Sequence, residues 1–121
     1  MLTLYQFKFS HFCEKARWAL DYKGIPFEQQ NLLLGFHEKA ALKIAPKTGL
    51  PIITDGDKVV QDSTSIITYL DERYPDNSLT PPGPEEAKSA LEWEEFSDEE
   101  IGVPIRLWFY HHLLPDRIRT L

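Results

Sequence analysis

Only one cysteine, Cys13, occurs in the 121 residues, so no internal disulfide can form and the fold does not depend on an oxidising compartment. No apolar run approaches the roughly 20 residues of a membrane-spanning helix, and the opening MLTLYQFKF passes into strand pattern without a signal-peptide cleavage site. A membrane partner is set aside, and the cytoplasm is the expected address. Basic charge is short as well. Thirteen Lys and Arg against 19 Asp and Glu leave a net charge of -6, which repels phosphate backbones and argues against nucleic acid. Internal repeats and low-complexity tracts are absent. What is present, 42% hydrophobic and 26% charged residues, suits one ordinary globular domain, or a small domain and part of another.

Charge is spread unevenly. Residues 1–84 carry ten acidic and nine basic side chains, whereas residues 85–100, EEAKSALEWEEFSDEE, carry eight acids against Lys88 alone. Two units are expected to meet near residue 84, through YPDNSLTPPGPEE, whose four prolines and one glycine read as an extended linker. Ahead of it the periodicities alternate. Leu2, Leu4, Tyr5 and Phe7 predict a buried strand; Phe12, Ala16, Ala19 and Leu20 recur at helical spacing up to Gly24 and Pro26. IPFEQQNL suits a second strand and HEKAALKIA a short helix. LPIIT and KVVQ flank an Asp55-Gly56 hairpin turn, and Ser63 opens a helix carrying Ile66, Ile67, Leu70 and Tyr74. The order β-α-β-α-β-β-α predicts an α/β domain with a mixed four-stranded sheet and helices on its faces.

Two stretches carry chemistry. In FSHFC, Ser10 as N-cap makes His11, Phe12 and Cys13 the first three helical residues, so Ser10 and Cys13 both meet the partly positive helix end. A thiolate is stabilised there, whether it belongs to Cys13 or to a ligand whose sulfur accepts a hydrogen bond from the Ser10 hydroxyl. The competing reading is a plain cap and an inert buried thiol. In TGLPIITDGDKVVQDSTSII, Pro51 at a strand start holds Leu50 extended, which offers its main chain to an extended ligand. Asp62 and Ser63 at the next helix start suit an ammonium and a carboxylate, the end of an amino acid. A capped helix and a strand-edge proline would look the same.

Taken together, FSHFCEKARWAL and GLPIITDGDKVVQDSTSIITYLDERYP resemble the amino-terminal, thioredoxin-like domain of glutathione S-transferases, over residues 1–76. The resemblance implies glutathione as co-substrate, no metal, detoxification chemistry on a small electrophile, and a homodimer when complete. It assigns thiol activation to Ser10, pairing with the cysteinyl main chain to Leu50 and Pro51, and the γ-glutamyl end to Asp62 and Ser63. His37 and Lys39 fall where the family binds the glycyl carboxylate. APKTGLP departs from the family pattern, with Lys47 early and Gly49 in the place of a Lys. His11 replaces the family's proline after the active-site residue. Cys13 takes the second-cysteine position of a glutaredoxin-like C-x-x-C that lacks its partner, and Tyr5 approximates the tyrosine of other classes. Ser10 ranks above both.

By the same resemblance, residues 77–84 are linker and residues 85–121 the first helices of an all-helical domain. AKSALEWEEF and IRLWFYHHLL are helical patterns separated at GVP, the second carrying Leu107, Trp108, Phe109 and Leu113 with nothing in the sequence to cover them. Truncation is the expected explanation, since RIRTL brings no stop signal. His111 and His112, adjacent on a helix, point about 100° apart and do not make a metal site. Beside the transferase reading stand two others: a non-catalytic glutathione-fold binding or regulatory module, and a thiol-dependent redox protein using Cys13.

Overall fold

The computed structural model describes residues 1–33 and 36–113. Its elements are β1 (Leu2–Gln6), α1 (His11–Lys23), β2 (Phe27–Asn31), α2 (His37–Leu42), β3 (Ile52–Asp55), β4 (Lys58–Gln61), α3 (Ser63–Arg73), α4 (Pro84–Ser97) and α5 (Val103–Leu113), with a π-helical turn, Asp98–Gly102, between the last two. The order expected from periodicity is present. The chain forms two compact units, Met1–Thr80 and Pro81–Leu121.

In the first unit the sheet runs β2-β1-β3-β4, with β1 parallel to β2 and antiparallel to β3. Strand alternation divides the side chains between two faces. Leu2, Leu4 and Ile53 pack with Ala16, Ala19 and Leu20 of α1 and Ile66 and Leu70 of α3. Tyr5 and Ile52 meet Ala41 and Ala45 on the other face, beside α2. The hairpin turns through Gly56 and Asp57, since Asp55 already pairs with Lys58; Gly56 takes φ 61°, the left-handed conformation that favours glycine. Helix α1 ends for the same reason at Gly24, φ 70°, whose N–H donates to the Asp21 and Leu20 carbonyls.

Polar contacts then tie the elements together. Lys23, its side chain 0% exposed, pairs with Asp71 at 2.9 Å and donates to the carbonyls of Tyr74 and Asp76. Asp71 also accepts from the Leu79 N–H and the Thr80 hydroxyl, so one buried pair fastens α1, α3 and the segment after α3. Tyr69 and Tyr74 both donate to Asp55 Oδ2 at 2.8 Å, tying α3 to the hairpin. Burial and the Asp55 carboxylate push the Tyr69 hydroxyl up to about 12. Buried Gln6 donates to Gln29 and Asn31 and accepts from Arg17 at 2.6 Å.

In the second unit α4 begins with Gly83 at the cap, Pro84 at the first position and Glu85 and Glu86 in the first turn, where the helix dipole favours acids. The two helical patterns are not separated at GVP. The π-helical turn runs directly into α5, and Pro104 lies in the first turn of α5, where its missing N–H is least disruptive. Leu107 and Trp108 are exposed, at 63% and 65%. RIRTL and the Leu113 side chain lie outside the described residues.

Removing Asp71 leaves the buried Lys23 ammonium unpaired, so Asp71→Ala is expected to lower stability by about 3–5 kcal/mol in urea unfolding at pH 7, and Lys23→Met with Asp71→Leu by less. Burial works to raise the Asp71 pKa, yet the Leu79 N–H, Thr80 hydroxyl and Lys23 outweigh it and hold the carboxyl below its ordinary value. Its contribution is therefore present above about pH 4, the unfolded value, and lost as pH falls through the folded one. An Asp71→Ala penalty that stays constant down to pH 2 would contradict this.

Candidate functional site

Sheet topology brings three connections to one end. Because β3 runs antiparallel to β1, the start of β3 lies beside the end of β1, with Tyr5 opposite Ile52. Ile52 in turn pairs with Gln61, the last residue of β4. The chain leaving β1 towards Ser10, the chain arriving through Leu50 and Pro51, and the chain leaving β4 through Asp62 and Ser63 therefore share one end of the sheet.

At the first of these, Ser10 is the N-cap of α1. The Ser10 N–H donates to the Phe7 carbonyl at 3.3 Å, and Ser10 Oγ accepts the Cys13 N–H at 3.4 Å. Accepting that bond uses a lone pair, and the hydroxyl also lies within hydrogen-bonding reach of the Cys13 sulfur. Cys13 faces inward, 0% exposed. Burial pushes its thiol above the ordinary value, against the lowering effects of the Ser10 side chain, the Phe7 main chain and Arg17. Of the two sulfur candidates, Ser10 is the accessible one.

The Leu50–Pro51 bond is cis, and Leu50 stands two residues before the first ladder residue, Ile52. Asp62 holds φ 83°, a conformation few non-glycine residues adopt. It is fixed at both ends: its N–H donates to the Pro51 carbonyl at 3.2 Å, and its Oδ2 accepts from the Ser65 N–H and hydroxyl as the cap of α3. Ser63 follows as the first helical residue and is 2% exposed, so Asp62 is the outward member of the pair.

The remaining candidates separate. The His37 ring lies edge-on to Phe7, centroids 4.6 Å apart, at the same end of the sheet; burial lowers its pKa, opposed by Glu38. Lys39 sits exposed on α2. Tyr5 packs against the Ala41, Ala45 and Ile52 cluster, as a core residue does. His11 lines a cavity of about 510 Å³ along α1 with Lys15, Trp18, Tyr22, Ile67 and Leu79, and its Nε2 is buried with no hydrogen-bond partner among the described residues. That cavity contains none of Ser10, Leu50, Pro51, Asp62 or Ser63. Sequence reading passed over Gln61, whose side chain bonds the main chain of Lys47 and Gly49. A glutamine at a strand end carries no local signal of such a contact.

A β2-β1-β3-β4 sheet with α1 and α3 on one face, α2 on the other and a cis-proline opening β3 defines a thioredoxin-like α/β domain. Residues 4–78 match the family model of the glutathione S-transferase N-terminal domain, and the chain belongs to the glutathione S-transferase family. It is 31% identical over 134 aligned residues to glutathione S-transferase 1 of Dianthus caryophyllus, covering 93% of this chain and 60% of that protein. With glutathione S-transferase Z1 of Arabidopsis thaliana it shares 41% identity over 83 residues, covering 66% of this chain and 38% of that protein. Among solved structures, a Ceriporiopsis subvermispora glutathione S-transferase in complex with glutathione superposes with a TM-score of 0.67 at 26% identity, over 80% of this chain and 46% of that one. The chain thus spans less than two thirds of the length of these relatives, from 38% to 60%.

Two outcomes check the site's electrostatics. Cys13 is expected to react with a disulfide reagent at pH 8 at least about 100-fold more slowly in the folded chain than in urea, because it is buried and its thiol is pushed up. Fast labelling of the native chain would refute that. Proton NMR should find His37 titrating below its ordinary 6.5. Burial favours its neutral form, so its contribution to stability is whole above about pH 6.5 and falls as the solution is acidified.

Proposed function

We propose that this chain is the glutathione-binding part of a glutathione transferase, with Ser10 stabilising the glutathione thiolate for attack on an electrophilic carbon. The observation that carries the proposal is the convergence of a capped helix start at Ser10, the cis Leu50–Pro51 step and the Asp62–Ser63 helix start on one end of the sheet. Glutathione has a thiol, a cysteinyl main chain and a γ-glutamyl end, and these match the three features in turn. Relatives named as glutathione S-transferases, one of them solved with glutathione, support the same reading.

A free thiol of pKa about 8.5 is only a few per cent ionised at neutral pH. Lowering that value by about two units takes about 3 kcal/mol. A hydrogen bond to the thiolate contributes about 1.5–3 kcal/mol and a helix end about 0.3–1 kcal/mol, so the Ser10 hydroxyl and the start of α1 together reach this magnitude. The thiol proton leaves to solvent, the sulfur lone pair forms the new S–C bond, and the electrophile's leaving group or π electrons take up the displaced pair. No covalent protein intermediate is needed. Burial and the raised thiol pKa of Cys13 weigh against the redox alternative. His37, lowered towards its neutral form, is a weak partner for the glycyl carboxylate, which leaves exposed Lys39 the better of the two candidates. Homodimerisation and a cytoplasmic address belong to the same proposal for the longer protein.

Calorimetric titration of glutathione into the 121-residue chain at pH 7 is expected to show saturable binding, weakened at least about tenfold by Asp62→Ala with Ser63→Ala. Ser10→Ala should retain binding and raise the pKa of the bound thiol by about one to two units, read as thiolate absorbance near 240 nm. A folded chain that binds no glutathione would overturn the proposal in favour of a non-catalytic module.

A further inference from the structure

Gln61 ends β4 and is paired in the sheet with Ile52. Its side chain turns to the segment before the cis-proline, where Nε2 donates to the carbonyls of Lys47 and Gly49, both at 2.7 Å, and Oε1 accepts the Lys47 N–H at 3.2 Å. One primary amide thereby satisfies three main-chain groups, as a neighbouring strand would. The next residue acts on the other side, the Asp62 N–H holding the Pro51 carbonyl at 3.2 Å. Leu50 lies between these two attachments. Its main chain is thus referenced to residues 61 and 62, the second of which caps α3 just before Ser63.

We propose that Gln61 is the positioning residue of this site: it holds the Lys47–Gly49 main chain so that Leu50 stands at the spacing from Asp62 and Ser63 that one extended peptide ligand, glutathione, can span. This rests on the glutathione reading above and adds to it the residue that sets the distance between two subsites. Pro46, Lys47, Thr48 and Gly49 are all exposed, and the Gln61 bonds face solvent, so each adds little to global stability. Without them the segment samples other conformations, and the ordering must take place when ligand binds. The loss appears in affinity and leaves the fold intact.

The test compares wild type with Gln61→Met, of equal length without the amide, and Gln61→Glu, which sets a carboxylate against two carbonyls. Each is titrated with reduced glutathione while backbone amides are followed by NMR and stability by urea unfolding. Both variants are expected to unfold near the wild-type midpoint and to bind glutathione about tenfold more weakly, the Glu variant more weakly still. At matched partial saturation the Leu50 amide should lose its glutathione-induced shift, whereas the Ser63 and Ser65 amides keep theirs. Wild-type affinity in both variants overturns the proposal. So does a loss that falls equally on Leu50, Ser63 and Ser65 together with a large drop in the urea midpoint, which marks Gln61 as merely structural. A wild-type chain that binds no glutathione overturns the function proposed above and this inference with it, whereas tight binding unaffected by Gln61 overturns the inference alone.

Discussion

The two-sided pairing of β1 is the constraint on which the rest depends. Leu2–Gln6 bonds in parallel to β2 and antiparallel to β3. A parallel partner must be reached by a crossover, which is α1; an antiparallel partner must start where β1 ends, which puts Leu50 and Pro51 beside the loop to Ser10. The hairpin then returns β4 to the same edge and delivers Asp62 there. Changing the register of β1 against β3 by one residue would exchange Tyr5 and Leu4 between the two faces and undo both cores at once.

Electrostatics at that edge follow from how the helices begin. Helices α1 and α3 both start at the converging end, each capped by a side-chain oxygen, Ser10 and Asp62. The caps differ in consequence. Ser10 accepts one N–H and, as a hydroxyl, can donate as well as accept, whereas Asp62 is an acceptor whose charge suits a cationic group. That end of the sheet thus carries a hydroxyl and a carboxylate on neighbouring elements, and burial pushes the thiol of Cys13, next to the Ser10 cap, above its ordinary value.

Local chemistry made much of this legible. Ser10, Gly24, Gly56 and, in its side-chain cap, Asp62 act through residues within four positions of themselves, so cap, stop and turn could be read from short windows. The hairpin turn shifted by one residue, because Asp55 is drawn into the ladder opposite Lys58 and its carboxylate is taken by Tyr69 and Tyr74. The break expected at GVP was not there, since a π-helical turn lets the helical path run past a proline that periodicity alone reads as a stop. Strand alternation alone did not place Tyr5 against Ala41, Ala45 and Ile52, since it says which residues share a face without saying what packs on that face.

By itself, then, the sequence determined the order of elements, the capped helix starts at Ser10 and Asp62, and the proline that opens β3. Those depend on interactions spanning a few residues, where side-chain identity and backbone preference suffice. Tertiary structure alone decided that Cys13 is sealed beneath Ser10, that Lys23 finds Asp71 48 positions away, and that Gln61 holds a loop 12 to 14 positions earlier. Such contacts depend on distances across the folded sheet, and a lysine or a glutamine has the same local preferences whether or not a distant partner awaits it.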